Sequence, residues 1–244
     1  MTSIAFAPEV AHDRKVLRER ARLVRELRKD GIVFACRQVP IEPENGDFVA
    51  VAKVEEHRWI VAIGDVMGHG HDAAELAREV CDHIEERAHY AQSLGDLVST
   101  ANELVCERTD GEKFVSLLLL VIDGRTGTFR IANAGSEEPL AVGRGGGVVA
   151  LEGHGPALGV LRDYTFRESG PIRMARGMIM LATTDGVIDA LDAEGKRYGR
   201  HRASMALAEA RHNGPKAVVR RILREAQDHA CHQDDRTVLA VQFV

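Results

Sequence analysis

Strand-length apolar runs, broken at short intervals by glycine, asparagine and aspartate, limit what this chain can fold into. Ile32 to Val39, Phe48 to Val54 and Trp59 to Ile63 come first, Phe114 to Ile122, Thr128 to Asn133 and Leu140 to Val142 follow, and Met178 to Thr183 and Thr237 to Val244 come late. Runs of this length bounded by turn residues read as strands, and the breaks at Asp123-Gly124 and Ala134-Gly135 make the middle group an antiparallel meander. Between the first two groups the period changes. After GDVMGHGH, residues Ala73, Ala74, Leu76, Ala77, Val80 and Ile84 recur at helical spacing, and a second helix is expected from about Leu94 to Val105. Lys216 to Asp228 is a further helix with Val218, Val219, Ile222, Leu223 and Ala226 inward, and TTDGVIDAL begins a turn or short helix. The segment GRGGGVVALEGHGPALG holds seven of the 23 glycines, so it reads as turns around a short Val148 to Leu151 strand and as the most mobile part. Two strand groups interrupted by one helical pair predict a layered α+β domain rather than alternating βαβ units.

A length of 244 residues suits one such domain, with about 70% of the unfolded surface buried. Apolar residues at 45% and charged residues at 28% are ordinary globular usage, and no run approaches the roughly 18 apolar residues of a membrane span. The opening MTSIAFAPEVAHDRK lacks the basic segment and apolar core of a secretory leader, so cytoplasm is the default compartment. Cys36, Cys81, Cys106 and Cys231 are widely separated and read as reduced thiols, not as a disulfide framework or zinc ribbon. A net charge of −5 does not favour general attraction to nucleic acid or anionic lipid.

The local exception is the start. From Asp13 to Asp30, Leu17, Ala21, Val24 and Leu27 fall at helical spacing, and eight basic residues face four acidic ones. This predicts a basic amphipathic helix, stopped by Gly31, over residues 1–30, ahead of a domain over 31–244. Its apolar stripe packs on its own domain or serves a partner, a second copy in a homodimer included. Nucleic-acid binding through it is disfavoured, because no aromatics interleave the basic residues.

Four places set an aspartate at the edge of an apolar strand: Asp47 in NGDFVAV, Asp65 in WIVAIGDVMGHG, Asp185 in MIMLATTDGVID, and Asp234 with Asp235 in HQDDRTVLAVQF. Each alone is an ordinary turn or capping residue. Together, carboxylates delivered to one edge repel one another and are tolerated mainly when a cation neutralises them. All-oxygen donors, without clustered cysteines or HExxH, suit Mg²⁺ or Mn²⁺ better than zinc.

These same residues carry a resemblance. GDVMGHGHDAA is similar to a GDVSGHGxxAA signature, TTDGVIDA to TDGVTEA, and QDDRTVLAVQF to the QDDxTLLVV ending of SpoIIE-type bacterial serine/threonine phosphatases, a branch of the metal-dependent protein phosphatase 2C (PPM) superfamily. NGDF resembles the family's GGDF turn, and NAGSEEP and GPALGV resemble its NAGHxP and PLGL segments, in the same order, from about Val33 to Val244. The resemblance implies an α/β/β/α sandwich, two mainly antiparallel sheets flanked by helices, with two Mn²⁺ or Mg²⁺ ions at one end. It implies that Asp65 bridges both ions, that Asp47 and the Val66 carbonyl complete one site, and that Asp185 and Asp234 complete the other. Asp235, Gly186 and Ser136 would stand behind these ligands. Two ions roughly 4 Å apart would lower the pKa of a shared water for in-line attack on a phosphomonoester. The implied substrate is a phosphoserine or phosphothreonine on a small STAS-domain anti-sigma-factor antagonist, in partner switching or stress signalling.

Departures from the pattern also carry information. Met67 stands where eukaryotic-type members have a motif histidine, and His69 is expected to shape the turn and helix start. Ser136 replaces a histidine or aspartate, which leaves a third metal without a carboxylate. His229, Cys231 and His232 lie too close along the chain to converge tetrahedrally on zinc. The alternative to a phosphatase is a non-catalytic regulatory domain that binds a partner through the same surface. Such a domain gains nothing evident from keeping mutually repelling carboxylates.

Overall fold

The computed structural model describes residues 25–41, 44–153, 155–231 and 234–244. Among them, two antiparallel sheets lie face to face. The first runs β1 (Arg25–Lys29), β2 (Ile32–Val39), β11 (Arg236–Phe243), β10 (Ile179–Thr183), β7 (Leu140–Val142) and β8 (Val148–Ala150) across its width. The second runs β3 (Phe48–Glu55), β4 (Arg58–Val66), β5 (Val115–Asp123), β6 (Thr128–Ala134) and β9 (Ser169–Arg173). Helices α1 (His71–Arg87) and α2 (Leu94–Thr109) cover the second sheet, and α3 (Asp185–Ile188), α4 (Gly199–Ala210) and α5 (Pro215–His229) cover the first. The layered α/β/β/α sandwich expected from the sequence is the architecture that forms.

The apolar runs are continuous because the central strands are buried on both faces. In β4, Trp59, Val61 and Ile63 point between the sheets while Ile60 and Ala62 meet α1 and α2. In β5, Leu118, Leu120 and Ile122 join the inter-sheet layer and Leu117 and Leu119 the helical side. Each such Val, Leu or Ile side chain contributes about 1.5–3 kcal/mol by leaving water. The helices begin where the backbone needs them to. Gly70, at φ 84°, precedes α1 without a side-chain cap, so His69 is not the capping residue. Ser93 caps α2 by accepting from the Asp96 N–H at 3.1 Å, and Pro215 opens α5.

The expected N-terminal helix is corrected over its last residues. Up to residue 24 it lies outside the described residues, as does the dimer role given to it. Arg25–Lys29 is not helical: it is edge strand β1, in register with β2 from Arg25 opposite Cys36 to Lys29 opposite Ile32. Asp30 and Gly31 form the two-residue turn between them, at φ 51° and 75°. Two consecutive positive φ values are what a tight hairpin needs, so Gly31 turns the chain back instead of ending a helix, and the 30/31 boundary falls inside a hairpin.

That turn also ties the two sheets together. The Asp30 carboxylate accepts from Trp59 Nε1 at 2.8 Å, meets His57 Nδ1 at 2.9 Å and lies 3.5 Å from Lys53 Nζ, all three from the β3–β4 hairpin. Burial alone would raise this carboxyl, but the Trp59 and His57 bonds and the Lys53 charge outweigh it and hold it below its ordinary value. A lowered folded-state pKa gives stability that is present above the unfolded value of about 3.9 and lost as pH falls below it. Asp30→Asn is therefore expected to cost about 1–3 kcal/mol at pH 7, with the gap to wild type narrowing in urea melts taken at successively lower pH. A gap independent of pH would show that charge plays no part.

Candidate metal centre

The opposite end of the sandwich gathers the aspartates. Asp47 lies just before β3, Asp65 is the penultimate residue of β4, Asp185 begins α3 directly after β10, and Asp234 and Asp235 lead into β11. These strands belong to both sheets, so stacking the sheets brings together residues up to 190 positions apart.

Asp47 is the best-fixed member. It is buried, and its Oδ2 accepts hydrogen bonds from Thr237 Oγ1 at 2.6 Å and Thr184 Oγ1 at 2.9 Å, while its backbone carbonyl accepts from Gln38 Nε2 at 2.8 Å. Thr184 Oγ1 in turn accepts from the Thr237 N–H at 3.0 Å. Two hydroxyls, one just past the end of β10 and one near the start of β11, thus clip a carboxylate from the other sheet and set its rotamer. The second oxygen, Oδ1, is buried with no hydrogen-bond partner. A buried carboxylate oxygen without a donor costs free energy unless a cation meets it.

The neighbours explain the electrostatics. Burial, and then the Asp65 charge, push the Asp47 carboxyl well above the usual carboxylate range. Asp65 is pushed up to about 7 by burial and then by Asp185, with Asp234 and Asp235 adding to the effect. Asp185 is raised by partial desolvation and then by Asp234. Glu137, which the sequence reading did not single out, is raised by burial, with Asp189 and Asp185 adding to it. Neighbouring acids that raise one another in this way are a local excess of negative charge.

Glycines make the close approaches. A Cβ on Gly46 would lie 2.6 Å from the Val66 carbonyl oxygen and 3.0 Å from Asp65 Oδ1, so Gly46 lets the Asp47 turn lie against both groups. A Cβ on Gly186 would sit 2.0 Å from the Asp235 carbonyl and 3.3 Å from Asp234 Cβ, so the Asp185-Gly186 turn rests on the Asp234-Asp235 backbone.

The structure brings Asp47, Asp65, Val66, Asp185 and Asp234 to one edge, with Gly186 against it. Asp235 Oδ1 accepts from the Ile41 N–H at 2.7 Å, and its own N–H donates to Asp234 Oδ1 at 2.8 Å, which makes it a clamp on this loop. Ser136 is held by Asn133, whose Oδ1 accepts its N–H at 2.9 Å and whose Nδ2 donates to its carbonyl at 3.0 Å; it makes no hydrogen bond to the aspartates among the described residues. His229 Nδ1 accepts from Arg202 at 2.6 Å and its Nε2 donates to the Lys196 carbonyl at 2.9 Å, and His232 lies outside the described residues. Thr184 and Thr237 are, with Glu137, site residues that sequence reasoning missed, although all three sit inside the quoted motifs TTDG, DDRT and NAGSEEP.

The donor set fits a hard cation: carboxylate and carbonyl oxygens, one buried oxygen unpartnered, and three of the four cysteines buried elsewhere. Among the described residues no group of three or more His, Cys, Asp or Glu side chains stands close enough together to hold a metal ion.

A family model described as Stage II sporulation protein E (SpoIIE) matches residues 55–244. Protein IcfG of Synechocystis sp. is 28% identical over 153 residues, covering 62% of this chain and 24% of that protein, so the chain spans about a quarter of the length of this curated relative. Among solved structures, the SiaA-PP2C domain of Pseudomonas aeruginosa superposes with a TM-score of 0.75 at 20% identity, over 88% of this chain and 87% of that one. RsbX in complex with magnesium superposes with a TM-score of 0.69 at 16% identity, over 91% of this chain and 100% of that one. At these identities the superpositions show a shared fold.

Proposed function

The chain belongs to the Stage II sporulation protein E (SpoIIE) family, and we propose that it is a metal-dependent protein phosphatase that hydrolyses phosphoserine or phosphothreonine. The observation that supports this most is the unpartnered, buried Asp47 Oδ1 beside Asp65, at an edge of repelling carboxylates. Asp47, Asp65 and the Val66 carbonyl would hold one Mn²⁺ or Mg²⁺, and Asp65, Asp185 and Asp234 a second. Such ions, when bound, supply Lewis acidity that lowers the pKa of water and offsets charge on phosphoryl oxygens.

The chain's own residues do the rest. Thr184 and Thr237 fix the Asp47 carboxylate, so one donor is preorganised before any ligand arrives. Gly46 and Gly186 keep backbone and carboxylates within reach of one another. The acidic edge by itself repels a phosphate dianion, so binding of the ester depends on that edge first being neutralised. The family resemblance supports a small STAS-domain anti-sigma-factor antagonist, or a related stress-signalling protein, as substrate in the cytoplasm. No helix among the described residues is long and apolar enough to cross a membrane.

The test is turnover of p-nitrophenyl phosphate and of a serine-phosphorylated STAS-domain protein, with Mn²⁺ or Mg²⁺ and after exhaustive chelation. Chelation is expected to lower both rates about a hundredfold or more, with recovery on adding Mn²⁺ back. Undiminished turnover without metal would overturn the mechanism, and phosphoprotein binding without hydrolysis would establish the non-catalytic alternative.

A further inference from the structure

Beside the aspartate edge, three segments touch and leave large apolar side chains in water. Met67, one residue beyond the Val66 carbonyl, donates its N–H to the Phe114 carbonyl at 2.9 Å. Val115 and Leu158 exchange both backbone hydrogen bonds at 2.9 Å, which lays residues 158–161 against Phe114. Met67, Phe114, Val160 and Leu161 are 46%, 43%, 54% and 52% exposed. Half-exposed apolar side chains carried on segments whose backbones touch make a raised apolar surface, a ridge, and exposed apolar surface gathered in one place on a globular domain marks contact with something.

The ridge is held rigidly from beneath. Asn102, at 0% exposure in α2, donates to the Leu161 carbonyl at 2.9 Å and the Arg162 carbonyl at 3.0 Å, and its Oδ1 accepts the Gly159 N–H at 2.9 Å. Arg162 donates to the Cys106 carbonyl at 3.2 Å. Gly159, at φ 89°, has no room for a Cβ, which would lie 2.7 Å from the Lys113 carbonyl. A fully buried amide devoted to one surface turn fixes how Val160 and Leu161 are presented, which lowers the entropy lost when that surface is covered.

We propose that this ridge docks the folded protein that carries the phosphorylated residue, through an apolar surface beside that residue; the inference rests on the phosphatase reading. Continuity selects this occupant, because Met67 follows Val66 directly and anything covering the ridge also reaches the carboxylate edge. The edge offers a phosphoprotein oxygens and negative charge, so affinity for the rest of the partner has to come from neighbouring residues, remote binding energy of the kind that raises selectivity for a protein over a small ester. A ridge suits a folded surface, whereas small ligands take concave sites.

The decisive variant is Val160→Glu with Leu161→Glu, compared with wild type on p-nitrophenyl phosphate, on a serine-phosphorylated STAS-domain protein and on a short phosphopeptide from it. The expected result is an unchanged rate on p-nitrophenyl phosphate and phosphopeptide, within about twofold, and a fall of about tenfold or more in kcat/KM on the folded phosphoprotein, carried by KM. Equal losses on all three substrates would show that the turn only supports the site, and no loss on the phosphoprotein would remove the docking role. A wild-type dimer that the variant dissociates, seen by light scattering, would make a second copy the occupant and overturn the proposal. Should the double variant not fold, Val160→Ser carries the same comparison. If wild type hydrolyses nothing, the phosphatase reading fails separately, and the ridge is judged by whether the phosphoprotein binds wild type and not the variant.

Discussion

Asp65→Asn is expected to lose about a thousandfold or more of metal-dependent hydrolysis while the chelated protein becomes harder to unfold. Both effects have one source. Asp65 sits where burial and the charges of Asp185, Asp234 and Asp235 oppose ionisation, and it is the carboxylate shared between the two proposed ion positions. Replacing it with a neutral amide of the same shape removes that repulsion and a donor to both ions. The sign with pH follows: a folded-state pKa near 7 against an unfolded value near 3.9 gives stability that is complete at low pH and lost as pH rises through about 7. The chelated wild type should therefore weaken between about pH 4 and 7, and Asp65→Asn should weaken less over the same range. Thermal melts of both proteins in chelator across this range, alongside p-nitrophenyl phosphate rates with Mn²⁺, measure it. A near-normal rate would remove Asp65 from the centre, and a variant less stable than wild type in chelator would show that the carboxylate is part of the packing.

Gly186→Ala is the second large effect. The added methyl would lie 2.0 Å from the Asp235 carbonyl oxygen, which is backbone and cannot swing aside. Either α3 tilts away from the start of β11 or the Asp234-Asp235 loop moves, and both displacements separate Asp185 from Asp234. Overpacking of this kind costs about 1–3 kcal/mol. Because a misplacement of about 1 Å can cost about a hundredfold in rate, activity should fall much further than stability. The check is a denaturant melt beside metal titrations of activity: the midpoint should shift modestly while the Mn²⁺ concentration for half-maximal rate rises. Wild-type metal dependence in this variant would show that the two turns do not act together.

The strands were legible because burial on both faces leaves continuous apolar runs, as in Leu117 to Ile122. Elements with weak apolar signals were not. Strand β1 contributes one apolar side chain, Leu27, and was read with the charged residues before it. Strand β9 is SGPIR, exposed along most of its length, and α4 packs through the small residues Ala203, Ala206 and Ala210 around a single Leu207. The carboxylates could be found because their type and spacing carry chemistry. Thr184 and Thr237 could not, since which hydroxyl meets Asp47 is decided by how two sheets stack across separations of 137 and 190 residues. The glycine-rich stretch after β7 has its reason in contact as well as in turns: Gly155 passes over Asn133, where a Cβ would lie 2.8 Å from the Asn133 carbonyl oxygen.

The position of β11 bears on how such a chain is made. It follows every other described element in sequence, yet it lies between β2 and β10, where both of its edges are paired. While a ribosome is still adding residues, the first sheet is two unconnected pieces with open edges, and the acidic edge lacks Asp234 and the Thr237 hydroxyl. Closing that gap joins segments about two hundred residues apart, the kind of pairing that slows folding and leaves edges open to wrong partners. A chain interrupted before Arg236 therefore loses the middle of a sheet, not its margin, and the carboxylate edge cannot assemble until that strand is in place.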